Sequence, residues 1–215
     1  LLPLSAYLGV VGMPGMTAWY GVHQILQAQA GQTLLVSAAA GAVGSVVGQL
    51  AKHLGCRVIG IAGGTEKCQY LQEQLGFDLA LDYKAANFRA SLDAALAPGV
   101  DLIFENVGGE VFDLSLRHLN PYARIALCGL ISAYDGQTYA MQNLAAILSM
   151  RARLQGFIIT EHLEYWPQGL AELAQLVTSG RLKYKETVSQ GLASAPAALA
   201  GLLSGKNFGK QLVQL

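Results

Sequence analysis

Charge is scarce in this chain, and neither sign is in excess. Fourteen Lys and Arg against fourteen Asp and Glu leave 215 residues with a formal net charge of zero. Nothing therefore draws the chain to a phosphate backbone or an anionic membrane, and nucleic acid is not an expected partner. Cysteine is scarce too. Cys56, Cys68 and Cys128 are widely spaced, with no C-x-x-C and no His cluster to complete a zinc site, so no metal is expected. They read as reduced core thiols of a cytosolic protein. No G-x-S-x-G is present to support a Ser-His-Asp hydrolase. His23, His53, His118 and His162 are scattered, with no carboxylate at a fixed helical offset, and read as structural. The start, Leu1-Leu2-Pro3-Leu4, has no basic region or small-residue cleavage site, so it reads as the interior of a longer chain rather than a signal peptide. Against these absences stand 53% hydrophobic residues and 25 glycines. That is enough to bury a core as one large or two small domains, and it excludes disorder.

From Leu1 to Ala51 there is no Lys, Arg, Asp or Glu, and His23 is the only side chain that can gain a charge near neutral pH. Leu34 to Ala51 is long enough to span a bilayer, and Gly44-x-x-x-Gly48 imitates a helix-packing motif of membranes. A buried parallel strand feeding a buried helix explains the missing charge as well, since both are covered on every side. The short run Leu34-Leu35-Val36 followed by the small-residue turn Ala38 to Gly44 favours that second reading, and no membrane partner is expected.

Short apolar runs then alternate with helical spacing. Thr33 to Ser37, Arg57 to Ala62, Leu79 to Asp82, Val100 to Glu105, Ala123 to Cys128 and Leu154 to Ile159 read as strands. Val43 to Leu54, Glu66 to Leu75, Val111 to Leu119 and Ala140 to Met150 read as helices. This repetition predicts an α/β fold with a doubly wound parallel sheet, because parallel neighbours need a crossover. The tail breaks the repeat: a helix over Pro167 to Ser179, then Leu182 to Ser189, a helix Ala195 to Ser204 and a strand Lys210 to Leu215. Such a tail either adds to the sheet edge or belongs to a second domain.

At the end of the first clear strand, Ala39-Ala40-Gly41-Ala42-Val43-Gly44 fits the dinucleotide fingerprint with Ala for its first glycine. Gly41 would let backbone approach a pyrophosphate, Gly44 would let the helix pack closely, and the amides of Ala42, Val43 and their neighbours would meet the negative charge. Small residues at a tight strand-helix turn also serve packing alone. The second strand ends in Gly63-Gly64, where an NAD-specific protein presents a carboxylate, and Lys67 follows. Lost repulsion and a nearby ammonium predict NADP rather than NAD. Asn106, Ser132 and Tyr134 follow the fourth and fifth strands, at the edge where open α/β sheets bind ligands.

The stretches Gly12-Met13-Pro14-Gly15-Met16-Thr17-Ala18, Ala38 to Gly48, Glu66-Lys67-Cys68, Leu75-Gly76-Phe77-Asp78, Asp82-Tyr83-Lys84, Asn106-Val107-Gly108-Gly109, Cys128-Gly129-x-Ile131-Ser132-x-Tyr134 and Gly205-Lys206-Asn207-Phe208-Gly209-Lys210 carry a resemblance over nearly the whole chain. It resembles the medium-chain dehydrogenase/reductase superfamily, and within it the zinc-independent prostaglandin, alkenal and curcumin reductases. The resemblance implies a Rossmann domain over 1–187 and a segment 188–215 of a GroES-like catalytic domain whose first part is absent. It implies that Gly41 to Gly44 hold the pyrophosphate, Lys67 the 2′-phosphate and Tyr83 the adenosine side. It places Asn106 at the nicotinamide crevice, Cys128, Gly129, Ser132 and Tyr134 around the nicotinamide ribose, Phe157, Ile158 and Ile159 at the next strand's edge, and Asn207 reaching back to the coenzyme. The implied activity is NADPH-dependent, metal-free reduction of the C=C bond of an enone or enal. Tyr134, with Tyr165 and the coenzyme ribose hydroxyl, is a candidate donor to the enolate. A quinone reductase and a non-catalytic NADP-binding module are the alternatives, and a homodimer paired along the last strand is expected. The loop after Tyr134 is short and lacks the proline-rich stretch of relatives.

Overall fold

A strand that is buried on both faces cannot alternate polar with apolar residues, and β1 (Thr33–Val36) does not: all four residues are buried. The computed structural model describes residues 2–134, 136 and 138–215. Within them β1 pairs in parallel with β2 (Arg57–Ala62) on one side and β4 (Val100–Glu105) on the other, with Leu34 opposite both Val58 and Leu102. Adding β3 (Leu79–Asp82), β5 (Leu119–Leu127) and β6 (Arg153–Gly156) gives one parallel sheet in the order β3-β2-β1-β4-β5-β6. The chain runs outward from β1 to β3, then restarts at β4, so the strand order reverses between β1 and β4. That reversal leaves a crevice at the strands' carboxyl ends.

Alternate residues feed two cores. Leu34, Val36, Val58, Leu102 and Phe104 pack with α2 (Gly44–His53) and α3 (Thr65–Glu73), while Leu35, Ile59, Ile103 and Ile125 pack with α4 (Phe88–Leu96) and α5 (Gly109–Leu116). Before β1, the helix α1 (Met13–Tyr20) and a π-helical turn at Gly21–Ile25 bury Met16, Trp19, Val22 and Ile25 on the first face. α7 (Trp166–Thr178) covers them through Leu173 and Leu176. This is why the first fifty residues carry no charge. No helix among the described residues is long and apolar enough to cross a membrane.

Two expectations need correction, and one alternative is decided. Helical spacing predicts a helix over 140–150, yet α6 is only Ala145–Ser149. The amides of Gln142 and Asn143 donate instead to the carboxylate of Asp113 in α5, at 3.0 and 2.9 Å, and pull the segment out of helical bonding. The sixth strand ends at Gly156, not Ile159, because the chain then turns so that Ile159 enters the first core. The tail does not extend the sheet. β7 (Glu186–Gln190) and β8 (Lys210–Gln214) form their own parallel pair, joined by α8 (Ala195–Leu203), which buries none of its residues.

Candidate functional site

The turn from β1 to α2 is built backward from its helix. Val43 is the N-cap of α2, the amide of Ser45 donates to the Gly41 carbonyl at 3.1 Å, and the Ser45 hydroxyl donates to the same carbonyl at 2.7 Å. A Cβ on Gly44 would lie 2.5 Å from the Ala38 carbonyl oxygen and 2.9 Å from the Ala39 Cα, so glycine is needed for closeness to the turn's own backbone. Gly41 has a single neighbour within 4 Å of such a Cβ, the Ala38 oxygen at 3.1 Å, and so leaves its outer side open. From the far end of the chain, the Gly209 amide donates to the Ala40 carbonyl at 2.9 Å, and Gly209 bridges to Gly41.

Across from this turn, β2 ends in Gly63 and Gly64, and nothing lies within 4 Å of a Cβ added at Gly64. Lys67, in the first turn of α3, donates from Nζ to the Gly205 carbonyl at 2.7 Å. Burial lowers its pKa first, and the Lys84 charge nearby lowers it further. Lys84 Cε lies 3.0 Å from where a Cβ on Gly63 would sit, so lysine side chains flank the Gly63-Gly64 turn on both sides. The sequence shows no carboxylate at the end of β2, but the neighbouring strand supplies one. Asp82 accepts the amides of Gly64 and Lys84 at 2.8 and 2.9 Å, so that oxygen is committed to the turn. Tyr83 is exposed, with its ring against Gly63 and the Lys84 ammonium 5.7 Å from its centre. Asn207 precedes β8 and donates from Nδ2 to the Gly209 carbonyl at 2.8 Å.

The opposite wall of the crevice comes from the ends of β4 and β5. The Asn106 side-chain amide donates to the Ser37 carbonyl at 2.8 Å. The amides of Cys128 and Gly129 donate to the Glu105 carbonyl, at 2.8 and 3.2 Å, and a short 310 turn (Ile131–Ala133) follows. Ser132 donates through both its amide and its hydroxyl to the Val107 carbonyl, at 3.0 and 2.6 Å. Gly108 has φ +73° and Gly109 φ +62°, and a Cβ on Gly108 would strike Leu130 at 2.7 Å. Only glycine takes that bend without strain.

Glu105, which sequence reasoning left as the end of a strand, is the buried centre of this wall. Its Oε1 accepts the Ser37 hydroxyl at 2.9 Å and the amides of Val107 and Gly108 at 2.6 and 2.7 Å. Burial pushes its carboxyl above the usual carboxylate range, and those donors pull it back down. The available signal was an acid closing the apolar run Leu102-Ile103-Phe104.

Other candidates scatter. Tyr134 is 67% exposed at the rim, and positions 135 and 137 of the loop after it lie outside the described residues. Phe157 turns inward against Tyr20 and Phe104, Ile158 is exposed and Ile159 is buried, so these three share no wall. Tyr165 packs edge-on to Tyr20 with centres 5.4 Å apart. His23 and His118 pair across elements, His118 with Asp93 at 2.8 Å, while His162 meets Glu164 two residues on. Among the described residues no three His, Cys, Asp or Glu side chains converge as metal ligands.

Burial first, and then the Glu105 charge, push the Cys128 thiol up to about 11. A thiol is the unreactive form, so iodoacetamide should label Cys128 slowly at about pH 8 in the folded protein and rapidly in urea. Fast native labelling, read by peptide mass, would contradict this environment.

Comparison with known proteins places these features in context. Residues 42–175 match the pattern of the family described as zinc-binding dehydrogenase. The NADP(+)-dependent 2-alkenal reductase of Nicotiana tabacum is 44% identical over 216 residues, covering all of this chain and 63% of that protein. The NADPH-dependent curcumin reductase of Escherichia coli is 45% identical over 215 residues, covering 97% and 62%. The crystal structure of CurA from Vibrio vulnificus in complex with NADPH superposes with a TM-score of 0.94 at 48% identity, over 98% of this chain and 64% of that one. The chain thus spans less than two thirds of the length of these relatives.

Proposed function

The chain belongs to the zinc-binding dehydrogenase family, among the alkenal, prostaglandin and curcumin reductases of the medium-chain dehydrogenase/reductase superfamily, and on that premise we propose that it is the coenzyme-binding part of an NADPH-dependent reductase of enone or enal C=C bonds. One observation carries the choice of coenzyme. Lys67, in the first turn of α3, and Lys84, whose Cε lies 3.0 Å from where a Cβ on Gly63 would sit, flank the Gly63-Gly64 turn, and Gly64 faces open space. A phosphorylated adenosine ribose supplies the anion that pair lacks, and the outer side of Gly41 leaves room for a diphosphate at the start of α2. In this reading Gly41, Ala42, Val43 and Gly44 receive the diphosphate, Lys67 the 2′-phosphate and Tyr83 the adenosine face. Asn106, Cys128, Gly129, Ser132 and Tyr134 line the nicotinamide half, and Asn207 reaches back to the coenzyme from the segment that meets Lys67 and Gly41.

NADPH, when bound, supplies a hydride. The chain's own part is to orient it, exclude water and steady the enolate that forms when hydride reaches the substrate's β-carbon. A neutral hydroxyl can donate to that oxygen without a metal, and Tyr134, exposed on the rim, is the candidate for it. The division into a coenzyme unit over 1–187 and a returning segment 188–215 belongs to the same reading, with its boundary inside β7. So does pairing of two copies along β6, where Leu154 stands on an uncovered edge.

The full-length protein should oxidise NADPH in the presence of a simple enone, and this chain alone should bind NADPH with little turnover, since it is shorter than its relatives by more than a third. Tight NADPH binding with no turnover of several enones would replace the reductase with a binding module. Preference for quinones would change the substrate class.

A further inference from the structure

One buried acid takes no direct part in holding a coenzyme or donating a proton. Glu105 is 1% exposed, and burying a carboxylate is costly unless donors surround it. Its donors come from both sides of the point where the strand order reverses: the Ser37 hydroxyl follows β1, and the Val107 and Gly108 amides follow β4. Ser37 passes the constraint on. Its oxygen accepts the Asn106 amide at 2.8 Å while its carbonyl accepts the Asn106 side chain at 2.8 Å, so Asn106 is held at backbone and side chain together. The carbonyls of Asn106 and Val107 then take the amides of Ile131 and Ser132, at 3.3 and 3.0 Å. A single carboxylate oxygen thus anchors Ser37 and the 106–108 bend, and the 131–132 turn hangs from that bend.

We propose that Glu105 is a positioning residue, which acts through Ser37 and the amides of Val107 and Gly108 to hold Asn106 and the 129–132 turn in the shape that receives the nicotinamide half of the coenzyme. This rests on the coenzyme reading of the crevice. The effect falls on one half of the ligand, because Lys67 and Gly41 to Gly44 share none of these bonds, although their turn starts next to Ser37.

The test uses the full-length protein and two probes, NADPH and 2′,5′-ADP, which lacks the nicotinamide. In Glu105→Ala and in the milder Ser37→Ala, NADPH should bind roughly tenfold more weakly, while 2′,5′-ADP stays within about twofold. The fluorescence gain of the bound dihydronicotinamide should fall with it. Glu105→Gln keeps an oxygen for the same three donors and should bring NADPH affinity back to within about threefold of the unsubstituted protein. Parallel weakening of both probes, unchanged NADPH binding, or a glutamine variant as poor as alanine would overturn the proposal. If Glu105→Ala does not fold, Ser37→Ala gives the same reading. If the unsubstituted protein binds neither probe, the coenzyme reading itself fails; if it binds both and the variants behave like it, only the positioning role fails.

Discussion

Lys67→Ala is expected to weaken NADPH binding by roughly 10- to 100-fold, the usual worth of a hydrogen bond to a charged group, and to leave NADH within about threefold. The difference between the two coenzymes is a single phosphate, so the ratio of their dissociation constants isolates the lysine from any general loosening. The same substitution removes the bond from Nζ to the Gly205 carbonyl, which links α3 to the segment before β8. That loss acts on both coenzymes alike and cancels in the ratio. Lys84→Ala should shift the ratio in the same direction by a smaller factor, because Lys84 reaches the niche from β3 beside Tyr83. Titration by calorimetry with both coenzymes decides the matter. An unchanged ratio in Lys67→Ala would remove the basis for choosing NADP.

Gly48→Ala should be strongly destabilising through the protein's first core. A Cβ at Gly48 would fall 1.9 Å from Cζ of Phe77, and the ring has no room to retreat, since a Cβ at Gly60 on β2 would lie 2.9 Å from its Cδ2. Phe77 is 4% exposed between the two glycines. Overpacking of this kind costs about 3 kcal/mol, which in a domain of this size lowers the melting temperature by roughly 6–12 °C. Pairing it with Phe77→Leu, which withdraws the ring edge, should recover part of the loss. A melting temperature unchanged by Gly48→Ala would mean that α2 does not lie this close to β2.

Gly48 also shows how far the sequence can be read unaided. Beside Gly44 it imitates a membrane-helix motif, and only the position of Phe77, packed in from beyond α3, explains it as a seat for an aromatic ring. The sheet was legible because each strand is a short apolar run joined by segments of helical spacing, and the place of Lys67 in the first turn after β2 was legible from its distance to the strand end. Contacts distant in sequence were hidden. Asp82 reaches the end of β2 from the next strand, Asp113 takes the amides of Gln142 and Asn143 out of a helix that their spacing predicts, and Glu105 gathers donors from two strand ends. In each case a carboxylate satisfies backbone amides that no periodicity announces. Residues 157–159 were misplaced for a different reason: an apolar run does not say where a strand leaves its sheet.

The bridge between Gly41 and Gly209 carries a consequence for biosynthesis. A chain emerging from the ribosome makes its glycine bend well before the amide that ties down Ala40, which arrives only when Gly209 has been translated. Long-range closures of this sort come late in folding because their loop entropy must be overcome first. The nascent polypeptide therefore carries that bend untethered through the synthesis of all the intervening elements, and it gains the finished cradle only once Gly209 is free to fold back.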